Sequence, residues 1–500
     1  MPGLFYGLTL DGTQRLEYTY DELGRVEKRT VKLDGGKEYH TTYTYAAGNG
    51  RGKTTTLAES VTNGTQTLYY TYDGLGNITH IHEKSSDSAA KTEKVRYTYD
   101  ELSQLVREDN RWLDKTIIYT YDAGGNLTSK EEYAYTTGSV GTAENSKSYA
   151  YRTTGWKDQL TAYDGQSITY DTMGNPLSYR GMQMTWQKGR ELKGVEKDGT
   201  SVTYAYDQEG ARIRKTVGDT ETRYYLNGSK IVALETGSEK LHFIYDQSGN
   251  LFAMKVGSEL YYYLHNCQND IIGLVDSMGT QVVSYQYDSW GKPVGMTDAT
   301  ADGVGSKNPF RYREYCWDEE TGMYYVNSRY YDLETCRFIS ADDTDVLEVQ
   351  DDLYDKNLYA YCDNNPISRV DEEGDMWQFA LASGGTLAAG SGFSLSALGG
   401  SIMASLGAIT PVGWAVLGVV AVVGTVAIGI KYVKSKSKSK SKREVDPYAR
   451  SGQKKQGREN KYTSKQKENF KSRNNRRDKK PAKPKKHTPS RKGHTKYYQK

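Results

Sequence analysis

Phenylalanine is scarce, 8 residues in 500, and the four cysteines (Cys267, Cys316, Cys336 and Cys362) nowhere form a Cys-x-x-Cys pair. That spacing excludes a zinc ribbon or a thioredoxin-like motif; the four read as buried thiols, with a disulfide among the last three left open. No P-loop, Gly-x-Gly-x-x-Gly fingerprint or His-Glu-x-x-His stands in context, so nucleotide-dependent chemistry has no motif to rest on. Met1-Pro-Gly-Leu-Phe-Tyr-Gly7 lacks the basic-then-apolar order of a signal peptide, so export would use another route or a longer chain. With 26 % charged residues and a mean hydropathy of −0.77 the chain is too polar for a multi-spanning membrane protein, while 12 % aromatics is too rich for a wholly disordered one.

What the chain has instead is tyrosine, 44 residues, beside 51 glycines. An amphipathic ring in place of Leu or Phe suits half-wet β-sheet and argues against a helical bundle. The tyrosines recur in a unit, Tyr-x-Tyr-Asp-x-x-Gly-x-apolar: Tyr18 to Val26, Tyr70 to Ile78 and Tyr119 to Leu127. Further copies start at Tyr97 (with Ser103 in the glycine place), Tyr170, Tyr204, Tyr245 and Tyr285. Alternation puts both tyrosines on one strand face. Asp then opens a turn by accepting from the backbone two residues on, and Gly takes positive φ, so each unit is a β-hairpin and Ser103 is expected to be a strained turn. No single hairpin buries a face alone, so neighbours must stack into a continuous curved sheet. The Tyr-Asp pairs read as structural.

Repeated Tyr-Asp-x-x-Gly-Asn/Arg units resemble the YD repeats of the RHS family. The stretch from Asn308 is more specific, with Asp318-Glu-Glu-Thr-Gly-Met-Tyr-Tyr-Val-Asn-Ser-Arg-Tyr-Tyr-Asp332, Cys336-Arg-Phe-Ile-Ser340 and Asn364-Asn-Pro-Ile-Ser-Arg-Val-Asp371. It is similar to the RHS-associated core, the plug that closes a hollow β-shell and precedes a variable effector. The resemblance implies a mainly β fold: a YD-repeat shell over 1–300 closed by the core over 301–375. It also implies a secreted or surface-delivered polymorphic toxin, an immunity protein, and missing N-terminal repeats or a partner shell subunit, because 375 residues make only part of a shell. Relatives cut themselves after an Asp-Pro-x-Gly-Leu that ends the core. The matching stretch here is Asp371-Glu-Glu-Gly374-Asp-Met376-Trp377, with Glu372 in place of Pro, which puts the cut at Met376 and Trp377. Two carboxylates of unlike pKa would serve it. The candidates are Asp342, which follows Arg-Phe-Ile-Ser-Ala as in the family, with Asp355 or Asp371.

Beyond the core, residues 376–430 contain no charged side chain, and 411–430 alone is long enough to span a bilayer as a helix. A transmembrane helix or hairpin is expected, held by the Lys-Ser alternation that follows and directed at a target-cell membrane; an apolar helix packed inside the shell is the competing reading. Residues 431–500 carry 27 Lys and Arg against 5 Asp and Glu, a net of +22, so the remainder carries −19. This tail reads as a largely disordered polycation that would bind nucleic acid through phosphates. Its sharper reading is a nuclease tip, with His487 and His494 as acid and base and Lys485, Lys486 and Arg491 on the phosphate. A further alternative is a surface adhesion protein whose exposed tyrosines stack on glycans and whose 411–430 helix anchors it. His80-x-His82 shares a strand face but shows no third ligand, so sheet packing is favoured over a metal. No cofactor is expected.

Overall fold

The computed structural model describes residues 4–48, 54–342, 357–371, 374 and 378–379. Within them the chain runs as an antiparallel meander, each strand pairing with the next in sequence. Strands β1 (Gly7–Leu10) through β14 (Gln166–Ser167) form one fourteen-stranded sheet, and β15 (Thr169–Tyr170) through β28 (Pro293–Asp298) form a second. A small sheet follows, β29 (Cys316–Asp318), β30 (Met323–Val326), β31 (Arg329–Asp332) and β32 (Arg337–Phe338), and then the pair β33 (Arg369–Val370) and β34 (Gln378–Phe379). The apolar segment 411–430 and the basic tail lie outside the described residues. Gln378 and Phe379, near the start of the segment expected to be helical, are instead strand, because their backbone pairs with Arg369–Val370 across the turn at Gly374.

One turn chemistry generates the meander. In each YD unit a single Asp oxygen accepts the backbone N–H groups two and four residues on: Asp21 Oδ1 takes those of Leu23 and Arg25, and Asp73, Asp100, Asp122, Asp171, Asp207 and Asp288 do the same at 2.8–3.1 Å. Asp276 builds the same turn without a preceding tyrosine. The fourth residue holds positive φ, 79° at Gly24 and 88° at Gly76, and the strand register slips by one residue just before each Asp, a bulged hairpin. Ser103 sits at φ 62°, so the expected strain is present; its hydroxyl takes a hydrogen bond from Asn77 Nδ2 at 3.2 Å.

The two tyrosines of each unit share a face and divide the work. The first is buried in the core, as at Tyr18, Tyr70, Tyr97, Tyr119, Tyr204 and Tyr285. The second sends its hydroxyl to the backbone carbonyl of an earlier hairpin: Tyr72 to Ala58, Tyr99 to Ile78, Tyr121 to Leu105, Tyr206 to Leu192, Tyr245 to Ile231 and Tyr287 to Ile271, and Tyr45 to Val26 and Tyr151 to Leu127 do the same from Tyr-x-Tyr pairs that lack the Asp, all at 2.6–3.0 Å. Phenylalanine would pack but could not make this ladder, which accounts for the ratio of the two rings. It also removes the YD tyrosines as exposed platforms for glycans.

The start of the first sheet packs on the end of the second through Tyr18 Oη to Asp246 Oδ2 (2.8 Å) and Asn63 Nδ2 to the His265 carbonyl (3.0 Å). Residues 308–342 and 357–371 pack along the edge that carries the YD turns. There the polar residue after each glycine-position residue acts twice. Asn77, Gln104 and Asn126 each donate an amide to their own Asp, which leaves the amide oxygen for Asn365, Asn364 and Asn357 of the core at 2.7–2.8 Å. Further along the same edge Arg212, fully buried, pairs with buried Asp318, which also meets Lys215 Nζ at 3.2 Å. Burial alone would raise the Asp318 carboxyl, but Arg212 and Lys215 outweigh it and hold it below the usual range.

Two outcomes follow for stability. Tyr99→Phe and Tyr245→Phe should each lose about 1 kcal/mol in urea unfolding, and the losses should add because the sites are far apart. Asp318→Asn leaves the Arg212 cation buried without its partner and should cost about 3–5 kcal/mol. Because the folded carboxyl titrates below its unfolded value of about 3.9, its contribution is complete above that pH and is lost as pH falls through the folded value; pH-dependent unfolding should show this acid limb weakened in the variant.

Candidate active site

Arg329 opens β31, a strand whose four residues are all buried. It lies just past the tight turn at Asn327, φ 46°, and its guanidinium covers the Phe338 ring at 3.6 Å. One of its nitrogens, Nη2, reaches two carboxylates, Asp342 Oδ2 at 3.0 Å and Asp371 Oδ2 at 3.4 Å. Both acids are nearly inaccessible, at 4 % and 3 % exposure. The planar fork leaves its other two nitrogens for the backbone. Its Nε donates to the Gly374 carbonyl and its Nη1 to that of Leu358.

Each acid is fixed by its backbone. The Asp342 N–H donates to the Leu358 carbonyl at 2.9 Å, and the Asp342 carbonyl accepts from Arg190 Nη2 at 2.9 Å. The Asp371 N–H donates to the Tyr315 hydroxyl at 3.2 Å, and its Oδ1 accepts the Gly374 N–H at 2.8 Å. Gly374 is thus held at both ends, by Asp371 and by Arg329. It has φ 82°, and a Cβ there would stand 2.4 Å from the Val326 carbonyl and 2.6 Å from Ser328 Oγ. The site thus sets two buried carboxylates on one guanidinium beside the fixed backbone of Gly374.

Asp342 and Asp371 are therefore brought together, while Asp355, Met376 and Trp377 lie outside the described residues, as do Lys485, Lys486, His487, Arg491 and His494. Arg329 was not singled out by sequence reasoning. Its signal is a lone Arg beside Tyr-Tyr in a strand with no exposed face. His80 and His82 stack with ring centroids 6.1 Å apart, and Glu93 on the neighbouring strand lies 3.9 and 4.0 Å from their Nε2 atoms. Arg96 holds both oxygens of that Glu93, and no group of three metal-ligating side chains occurs among the described residues. All four cysteines are free and buried, so the structure holds none of the disulfides left open by the sequence, and burial pushes the Cys267 thiol up to about 12. Among the described residues no helix is long and apolar enough to cross a membrane.

The sequence matches the Teneurin YD-shell family over residues 70–367. It is 36 % identical over 295 residues to the tRNA nuclease WapA of Bacillus subtilis (strain 168), covering 57 % of this chain and 12 % of that protein. Toxin subunit YenC2 of Yersinia entomophaga is 24 % identical over 442 residues, 73 % of this chain and 44 % of that one. The chain thus spans only about an eighth of the length of its WapA relatives. Its fold is similar to that in the crystal structure of TcdB2-TccC3-Cdc42, with a TM-score of 0.52 and 18 % identity over 72 % of this chain and 20 % of that one. Through its Tyr-Asp turns, its unbroken antiparallel meander and its match across most of that meander and core, the chain belongs to the Teneurin YD-shell family of RHS/YD-repeat proteins.

Proposed function

We propose that this chain is a toxin-type YD-repeat protein in which residues 1–300 form the shell and 301–375 a self-cleaving core that frees a C-terminal effector. The observation that carries the reading is Arg329 holding Asp342 and Asp371 on one nitrogen beside an immobilised Gly374. The scissile bond is Met376–Trp377. One carboxylate takes a proton from water as its oxygen adds to the Met376 carbonyl carbon. The other acid protonates the Trp377 nitrogen as the C–N bond breaks, leaving a Met376 carboxylate and a Trp377 amine. Arg329 is a positioning residue. The relatives that are a toxin subunit and a tRNA nuclease support a secreted or surface toxin with an immunity partner.

The released part would carry residues 377–430 of the apolar segment, directed at membranes, and the basic tip 431–500. The WapA relatives, which are tRNA nucleases, favour RNA as the substrate of that tip, with His487 and His494 as the acid and base and Lys485, Lys486 and Arg491 on phosphate.

Intact mass of the purified full chain tests the core reading. Wild type should separate residues 377–500 from the rest, and Asp342→Asn or Asp371→Asn should slow that release by about 100-fold or more. Arg329→Lys keeps the charge but not the fork, and should slow release while shifting its pH profile. A wild type that stays whole across pH 4–8, or variants that cut at the wild-type rate, would overturn it.

A further inference from the structure

The tips of the YD turns carry a pattern that the hairpins do not require. The third residue of the Asp288 turn, Trp290, is buried, but in the other YD turns this place faces solvent and the fold leaves its identity free; Gly124, Glu209 and Ser248 occupy it in three of them. In four others it is a large apolar residue: Leu23 is 64 % exposed, Leu75 68 %, Leu102 70 % and Met173 55 %. Trp156, 45 % exposed, stands beside them, its ring lying against Gly174, next to Met173.

These five lie on one edge of the two large sheets. At about 4.8 Å per strand, Leu75 and Leu102, two strands apart, stand about 10 Å from each other. The turn between Leu102 and Trp156 offers only Ala123, Gly124 and Gly125, with no charge. Charge beside the tips is of both signs, Glu22 and Glu101 against Arg152 and Lys157. Solvent-facing Leu, Met and Trp at the points of successive turns, with small residues between them, form an apolar surface without a structural reason.

We infer that this edge is a lipid-contacting surface, its Leu, Met and Trp tips entering the headgroup boundary of a bilayer. Two observations favour lipid over another macromolecule. Phe379 pairs through its backbone with Arg369, one residue from Ser368, whose hydroxyl holds the Ile78 N–H just past the Leu75 turn. From there to Lys431 no residue is charged, so the edge and the longest apolar stretch of the sequence start from the same place. The tips also carry no acidic or basic cluster with which to recognise a charged partner, and Trp with Leu is the composition that partitions into the interface. The inference does not depend on self-cleavage, since the turns are upstream of the core.

A spin label separates this edge from the rest of the chain. The four native thiols are buried, so Leu102→Cys or Leu75→Cys in the full chain labels at one surface position, and Met296→Cys, 46 % exposed on β28, is the control. Neutral phosphatidylcholine vesicles give the cationic tail no anionic headgroup to bind. On adding them, oxygen accessibility of the nitroxide at 102 and at 75 should rise at least about twofold over that of a water-soluble nickel chelate, with no change at 296. A protein that floats with vesicles while 102 and 75 stay aqueous, or one that does not bind vesicles, overturns the inference. Immobilisation of the label that rises with protein concentration and needs no lipid also overturns it, in favour of a second copy. Urea midpoints of the labelled variants equal to wild type establish that the edge is folded in every case.

Discussion

The structure depends on one carboxylate oxygen accepting two backbone N–H groups. In each YD turn the Asp Oδ1 stands in for a further residue of backbone, satisfying donors that the reversal would otherwise leave unpaired, and this fixes the bulge that precedes it. The bulge sets the register so that the tyrosine before Asp reaches the carbonyl of an earlier hairpin. Its second oxygen, Oδ2, orients the amide of Asn77, Gln104 or Asn126 and leaves that amide's oxygen facing the core. Turn, ladder and docking edge thus come from one side chain repeated along the chain. Where Asn266 takes this place, its Oδ1 still accepts the N–H groups of Gln268 and Asp270, but its Nδ2 donates to the Asp270 carboxylate, so the polarity of the side-chain contact is reversed.

The core rests on that edge, and the edge gives the acid pair its geometry. Asn357, Asn364 and Asn365 are anchored to three successive turns, and the segment they belong to brings Asp371 up to Arg329. On the other side Arg190, from the second sheet, holds the Asp342 carbonyl. Neither acid is placed by its own hairpin. Their approach to one guanidinium is a property of the docked assembly, which ties any chemistry here to a closed core.

Much of this was legible because it is local. Asp and Gly at fixed offsets announce the turns, and Ser103 at φ 62° shows the reading extends to its exceptions. The alternation of the tyrosines showed which face they share, but not the carbonyl ladder, whose partners lie 14 to 24 residues back across unequal hairpins. The docking amides are separated from their partners by 231 to 288 residues, beyond any spacing argument. Asp342 and Asp371 came from a family pattern and not from physics. Arg329, which joins them, stood inside a quoted motif without a role, because a buried cation reveals itself only when its strand is seen to have no exposed face.

The central claim is that turn edge and core are one cooperative unit. Hydrogen exchange by mass spectrometry on the full chain under native conditions measures it directly. The account predicts that peptides covering the turns at 73–77, 100–104 and 122–126 and the core at 357–371 exchange with the same, slowest protection, and that Asn364→Ala lowers it in both together. Core peptides that exchange well before the turns, with the turns unmoved by Asn364→Ala, would contradict it.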